Sequence, residues 1–252
     1  MIRSIIALVV VVIMTFICGL LAVAAGVVNP YSRVVYFIGQ MWVRSILFVS
    51  GTKIETTGMD KIDLSRNYVF ISNHQSHFDV PAVFRVIPHT IRFLTKKELY
   101  KIPVFGWAIQ AVGMIKIDRA NREQAQASLN KAAEVMKKGV SIVVFPEGTR
   151  SKDGTLGQFK KGGFIIAIKA GIAIVPISIS GSRFILKKHT MRIRSGKIRL
   201  VFDQPIGTTE YTLDQKHMLI EKVRNVIEQN IDPDYNNPDK SNKSGETDSI
   251  SP

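Results

Sequence analysis

His74 and Asp79 have the side chains that base catalysis needs, and they lie five residues apart. They belong to the stretch Asn73-His74-Gln75-Ser76-His77-Phe78-Asp79. Before it comes a run rich in β-branched and aromatic residues (68–72), which reads as a strand. After it comes Pro81, suited to the first turn of a helix. Residues five apart on a straight helix face different ways, so a His74–Asp79 contact requires a loop or a helix start. There Asp79 accepts from one imidazole nitrogen, fixes the tautomer and leaves the other nitrogen as a base. His77 lies between them, and His74, His77 and Asp79 also read as metal ligands for a hydrolase. Against that rival, His89, His189 and His217 are scattered and form no second ligand cluster.

The chain offers no G-x-S-x-G elbow, and its single cysteine, Cys18, sits inside an apolar run. A His-Asp pair with no nucleophile beside it suits direct transfer. The substrate's own hydroxyl then takes the place that serine holds in a hydrolase triad. A second stretch, Phe145-Pro146-Glu147-Gly148-Thr149-Arg150, also follows a strand-like run and so belongs to the same sheet edge. Gly148 lets the backbone come close to a ligand, and Arg150 can grip a phosphate through two parallel hydrogen bonds. Arg119 follows another strand, and Lys96 or Lys97 a further one, adding positive charge at that edge.

The elements that must hold these residues alternate. Strands are expected at 53–57, 91–95, 114–117, 141–145, 172–180 and 199–202, and helices from 102, over 121–138, 164–169 and 213–229. Such alternation argues for an α/β fold whose mostly parallel sheet is covered by helices on both faces. Ligands in such sheets bind outside the C-terminal ends of the strands. A Gly- and Lys-rich loop (151–163) follows the Arg150 stretch.

Ahead of this domain, residues 5–28 are nearly all apolar, enough to cross a bilayer, which takes about 20 residues. A signal peptide is disfavoured, because its apolar region runs only about 7–15 residues. Residues 34–49 mix aromatic, aliphatic and basic side chains and read as a second, interfacial helix. The expected layout is a membrane-anchoring helical hairpin (1–50), a catalytic domain (51–231) and a disordered polar tail (232–252). One cysteine excludes an intramolecular disulfide. The formal net charge of +14 suits an anionic membrane or a phosphorylated substrate. It also suits nucleic acid, but the basic residues are not interleaved with aromatic ones, which argues against that partner. A basic cluster of Arg183, Lys187, Lys188, His189, Arg192, Arg194, Lys197 and Arg199 is a candidate contact for anionic headgroups.

Four stretches in order resemble one family. They are Asn73-His74-x4-Asp79, Gly113-Met114-Ile115-Lys116-Ile117-Asp118-Arg119, Phe145-Pro146-Glu147-Gly148-Thr149-Arg150-Ser151 and Val175-Pro176-Ile177-Ser178. The resemblance is to the glycerolipid acyltransferases typified by 1-acyl-glycerol-3-phosphate (lysophosphatidic acid) acyltransferase. It implies transfer of an acyl chain from acyl-CoA or acyl-carrier protein to lysophosphatidic acid, giving phosphatidic acid, with no cofactor. It implies His74 and Asp79 as the catalytic pair. It places Glu147, Gly148 and Arg150 at the acceptor, and Thr149, with Arg119 and Lys96 at the shared sheet edge, is expected to join them in binding substrate. Another lysolipid, glycerol phosphate or a lyso-ornithine lipid remains open as acceptor. The expected location is a membrane, the bacterial inner membrane, with the catalytic domain facing the cytoplasm.

Overall fold

The computed structural model describes residues 2–88, 90–118, 120–235 and 237. Its centre is a seven-stranded sheet in the order β1-β7-β6-β2-β5-β3-β4. The strands are β1 (Thr52–Thr57), β2 (Val69–Ser72), β3 (Ile91–Lys96), β4 (Ile115–Ile117), β5 (Ser141–Val144), β6 (Ile174–Ser180) and β7 (Gly196–Phe202). Neighbours from β6 to β4 pair in parallel, β6 and β7 pair antiparallel, and β1 runs parallel to β7. The expected mostly parallel α/β sheet is therefore present, with two reversed strands at one margin.

Pleating sends alternate side chains to opposite faces, and each face meets its own helices. Phe70 of β2 and Val143 of β5 pack in one cluster with Val43, Ile46 and Leu47 of α2 (Arg33–Ser50) and Ala82 and Val83 of α3 (Asp79–Val86). Val69 and Ile71, with Ile142 and Val144, face the other way. They pack against Leu129, Ala132 and Met136 of α5 (Arg122–Lys137), Phe164 and Ile166 of α6 (Gly162–Ala170), and Leu219, Val223 and Ile227 of α8 (Lys216–Asn230). Strands buried on both faces read as continuous apolar runs, which is why β2, β5 and β6 show no polar alternation. Pro176 fits inside β6 because it lies one residue outside the β7 pairing, which starts at Ile177↔Phe202.

The apolar N-terminal segment is α1 (Ile2–Val28), and α2 returns along it after a turn at 29–32. The N-cap Ser32 accepts from Val35 N, and Gly51 in the left-handed region closes the helix. Trp42 Nε1 donates to Thr15 Oγ1 at 2.9 Å. Cys18 and Ala22 pack with Val35 and Ile38 of α2 and with Ala108 and Val112, the latter at the end of the short helix α4 (Phe105–Ala111). The first turn of α1 reaches residues 186–195, which lead from the one-turn helix α7 (Ser182–Ile185) into β7: Ser4 Oγ donates to Ile193 O at 3.3 Å and accepts from Ile193 N at 3.1 Å. Arg92, nearly all buried, donates to Pro30 O at 2.6 Å and so fastens the far end of the hairpin to β3. The outer face of α1 stays open, with Val9, Val12, Ile13 and Phe16 each half or more exposed.

Most of the expected tail lies outside the described residues. Those of its residues that are described pack on the reversed margin of the sheet, where Tyr235 Oη donates to a Glu55 carboxylate oxygen.

Candidate active site

The site forms at the C-terminal ends of β2 and β5. Asn73, just past β2, substitutes its side-chain amide for backbone pairing with β6: Nδ2 donates to Ile179 O at 2.8 Å and Oδ1 accepts from Ile179 N at 2.7 Å. This clamp fixes where the following loop leaves the sheet. The loop ends at Asp79, the first residue of α3, where a negative charge also meets the positive end of the helix dipole.

Asp79 is fully buried, and its Oδ2 accepts three hydrogen bonds. They come from Gln75 N at 2.7 Å, Ser76 N at 2.8 Å and His74 Nδ1 at 2.7 Å. Because Nδ1 must donate to the carboxylate, the network assigns the lone pair to Nε2. The His74 side chain is 17% exposed. Its ring stacks on Phe145, centroids 4.3 Å apart and planes 20° from parallel.

The backbone of His74 is held as firmly as its ring. Its N–H donates to Glu147 Oε1 at 2.7 Å, and its carbonyl accepts from Ser151 N at 2.8 Å. Glu147 Oε2 accepts from Gly157 N at 3.0 Å, so both carboxylate oxygens take backbone donors. Glu147 thereby ties the loop after β2 to the loop after β5. Burial raises the Glu147 carboxyl above its ordinary value, against the pull of the two backbone N–H groups. A Cβ on Gly157 would lie 2.8 Å from Glu147 Oε2 and would push the carboxylate out of this position. Gly148 sits at φ 73°, where a side chain would strain the turn that presents Thr149 and Arg150.

Arg150 is half-buried, and burial lowers its guanidinium pKa while the Asp79 carboxylate raises it. Desolvation, and then the charge on Arg150, hold His77 below its ordinary value. The Arg150 charge is thus felt at His77, and the Asp79 charge at Arg150. Thr149 is exposed, and its Oγ1 lies 3.3 Å from Lys188 Nζ. Lys96, the last residue of β3, is exposed at the same sheet edge, whereas Lys97 is bound to Asp118 at 2.7 Å. Arg119 lies outside the described residues. Among the described residues no three His, Cys, Asp or Glu side chains form a ligand set, so His74, His77 and Asp79 are not arranged around a metal.

Sequence reasoning missed four contributors: the Asn73 clamp, the Phe145 platform, the Gly157 donor, and Ser76, whose Oγ donates to Leu186 O at 2.9 Å. Asn73 and Phe145 stand within the quoted motifs, but their partners come from distant strands and loops.

The acyltransferase family model matches residues 53–180. A chloroplastic 1-acyl-sn-glycerol-3-phosphate acyltransferase of Arabidopsis thaliana is 36% identical over 71% of this chain and 50% of its own length. A chloroplastic 1-acyl-sn-glycerol-3-phosphate acyltransferase of Brassica napus is 34% identical over 78% and 56%. The chain thus spans about half the length of these two plant relatives. The 1-acyl-sn-glycerol-3-phosphate acyltransferase of Escherichia coli is 32% identical over 72% of this chain and 74% of its own. The crystal structure of the 1-acyl-sn-glycerophosphate acyltransferase PlsC from Thermotoga maritima superposes with a TM-score of 0.72 at 26% identity, covering 90% of this chain and 95% of that one. On this shared sequence and fold, the chain belongs to the acyltransferase family of the 1-acyl-sn-glycerol-3-phosphate acyltransferases.

Proposed function

We propose that the protein transfers a fatty acyl group from acyl-CoA or an acyl-carrier protein to the 2-hydroxyl of 1-acyl-glycerol-3-phosphate, giving phosphatidic acid. The observation that carries this reading is the 2.7 Å contact between His74 Nδ1 and a fully buried Asp79 at the sheet edge. His74 Nε2 takes the hydroxyl proton as the oxygen attacks the thioester carbonyl. A C–O bond forms, the tetrahedral oxyanion collapses, and the C–S bond breaks. The imidazolium, stabilised by Asp79, then returns its proton to the thiolate. No metal or prosthetic group is needed for these steps. Arg150 binds the acceptor phosphate, with Thr149, Gly148, Lys96 and Arg119 around it, and Glu147 holds the His74 backbone in register.

Helix α1 is long and apolar enough to cross a membrane. It nonetheless lies along α2 and α4, which supports a hairpin anchored in one leaflet beside the site. The basic segment 187–199 then meets anionic headgroups. The side where acyl donors are made, the cytoplasm, is the side the catalytic domain faces, and the membrane is the bacterial inner membrane. The test is an acyl-transfer assay on isolated membranes with labelled acyl-CoA or acyl-carrier protein against a panel of lysolipids and glycerol 3-phosphate. Preferred labelling of lysophosphatidic acid is expected. Transfer only to a phosphate-free lysolipid would overturn the acceptor assignment.

A further inference from the structure

Lys188 lies outside the four motif stretches, in the strap of residues 186–195, which lies against the site loops at Ser76 and Arg150. Its Nζ donates to Arg150 O at 2.7 Å and to Thr149 Oγ1 at 3.3 Å. Both partners are neutral, and among the described residues the ammonium pairs with no carboxylate. The Arg150 guanidinium makes no ion pair among the described residues either. The Lys188 ammonium is thus held on the turn that carries Arg150. Neither neighbouring carboxylate forms an ion pair with these two cations: Asp79 Oδ2 accepts from His74 and two backbone N–H groups, and Glu147 accepts from two others.

The strap has little freedom to move Lys188 away. Leu186 O accepts from Ser76 Oγ at 2.9 Å, and Arg194 N donates to Ile185 O at 2.9 Å. Ser4 brackets Ile193 on the other side. Lys188 is thus fixed against the turn that carries Arg150, while the neighbouring Lys187, Arg192 and Arg194 remain exposed. A phosphate monoester carries a charge of about −1.5 to −2 at neutral pH, more than one guanidinium matches. An ammonium with two of its three N–H bonds given to the protein keeps one for a ligand.

We propose that Lys188 is a further cation for the acceptor's phosphate monoester, one that lies outside the four motif stretches and acts beside Arg150. This inference rests on the acyltransferase reading above.

The experiment compares wild type, Lys188→Gln and Lys188→Arg in membranes by steady-state kinetics. Gln keeps a donor toward Arg150 O but carries no charge. Expected for Lys188→Gln is a KM for lysophosphatidic acid raised about ten- to hundredfold, the size of one charge-assisted hydrogen bond. The donor KM should stay within about twofold, kcat should change little, and Lys188→Arg should restore most of the loss. Equal losses in both KM values and kcat, or an unchanged acceptor KM, would overturn the proposal. If Lys188→Gln does not fold, the wild type decides through amine-reactive labelling of Lys188 read by mass spectrometry. Lysophosphatidic acid should protect it and 1-acylglycerol should not. Full protection by phosphatidylglycerol vesicles alone would assign Lys188 to bulk headgroups and overturn the proposal. A wild type that fails to acylate lysophosphatidic acid overturns the acyltransferase reading, and this one with it.

Discussion

Glu147 grips His74 by the backbone and leaves the imidazole alone: its Oε1 takes the His74 N–H at 2.7 Å while its Oε2 takes Gly157 N at 3.0 Å. One carboxylate therefore ties the loop after β2 to the loop after β5.

Glu147→Gln places an amide NH₂ against one of those two N–H donors and loses that bond. Leaving a buried donor unpaired costs about 1–3 kcal/mol of stability. We expect a lower melting temperature and a kcat reduced roughly ten- to hundredfold, with acceptor KM within about threefold. A large rise in acceptor KM at unchanged kcat would instead put Glu147 on the substrate. The pH dependence has a definite sign. Burial raises the folded-state value above the unfolded one, so the folded state binds more protons in the window just above the ordinary glutamate value. Stability from this group therefore falls as pH rises through that window, and Glu147→Gln removes the slope. Melting curves between about pH 4 and 7 test it.

His74→Ala should lower kcat by about 10²–10⁴, the usual worth of a general base, with a modest fall in melting temperature because the buried Asp79 loses one of its three donors. Asp79→Asn should be comparably impaired, because its NH₂ can face Nδ1 and favour the wrong tautomer. It should also lose stability, since three donors converge on Oδ2. Asp79→Glu keeps the charge but shifts it by a methylene, and partial activity at best is expected. Near wild-type turnover in His74→Ala would remove the base assignment.

Arg150→Ala should weaken use of the phosphorylated acceptor about ten- to hundredfold in kcat/KM, with the acyl donor little affected. Arg150→Lys should not recover fully, because an ammonium cannot form the bidentate fork. Arg119→Ala should act in the same direction. Unchanged acceptor kinetics in both Arg→Ala variants would take these residues out of the phosphate site.

Chelators should leave the activity intact, and His77→Ala should lose far less than His74→Ala. Inactivation by chelator with recovery on added zinc or manganese would revive the metal-hydrolase reading.

The protein should stay with membranes through high-salt and alkaline washes. Val12→Glu combined with Phe16→Glu, both on the open face of α1, should release it without unfolding. An acidic residue in the hydrocarbon region costs about 2.5–3.5 kcal/mol. Retention of the double variant would place the anchor elsewhere.

The His74–Asp79 contact and the α/β sheet were legible because both leave local marks. His74 and Asp79 sit between a strand run and a Pro-marked helix start, and buried parallel strands are plainly apolar. The reversal of β7 was not legible: a strand's direction depends on which partner it meets, and the sequence of residues 196–202 reads the same either way. The duty of Glu147 was hidden for a similar reason. Its partners, His74 N and Gly157 N, are backbone atoms, and any residue type supplies those. Lys188 looked like one basic residue among eight until Arg150 O and Thr149 Oγ1 appeared beside its ammonium.

Ser4 and Ile193 touch across 189 residues of sequence. At ribosomal speeds of about 5–20 residues per second, roughly ten to forty seconds of synthesis separate them. Throughout that interval the first turn of α1 has no strap to bind, and Cys18 and Ala22 wait for Ala108 and Val112 of the α4 region as well. Lipid is the surface at hand to cover so apolar a nascent helix. Anchored as proposed, the chain reaches the bilayer before the 186–195 strap exists to close against the first turn of α1.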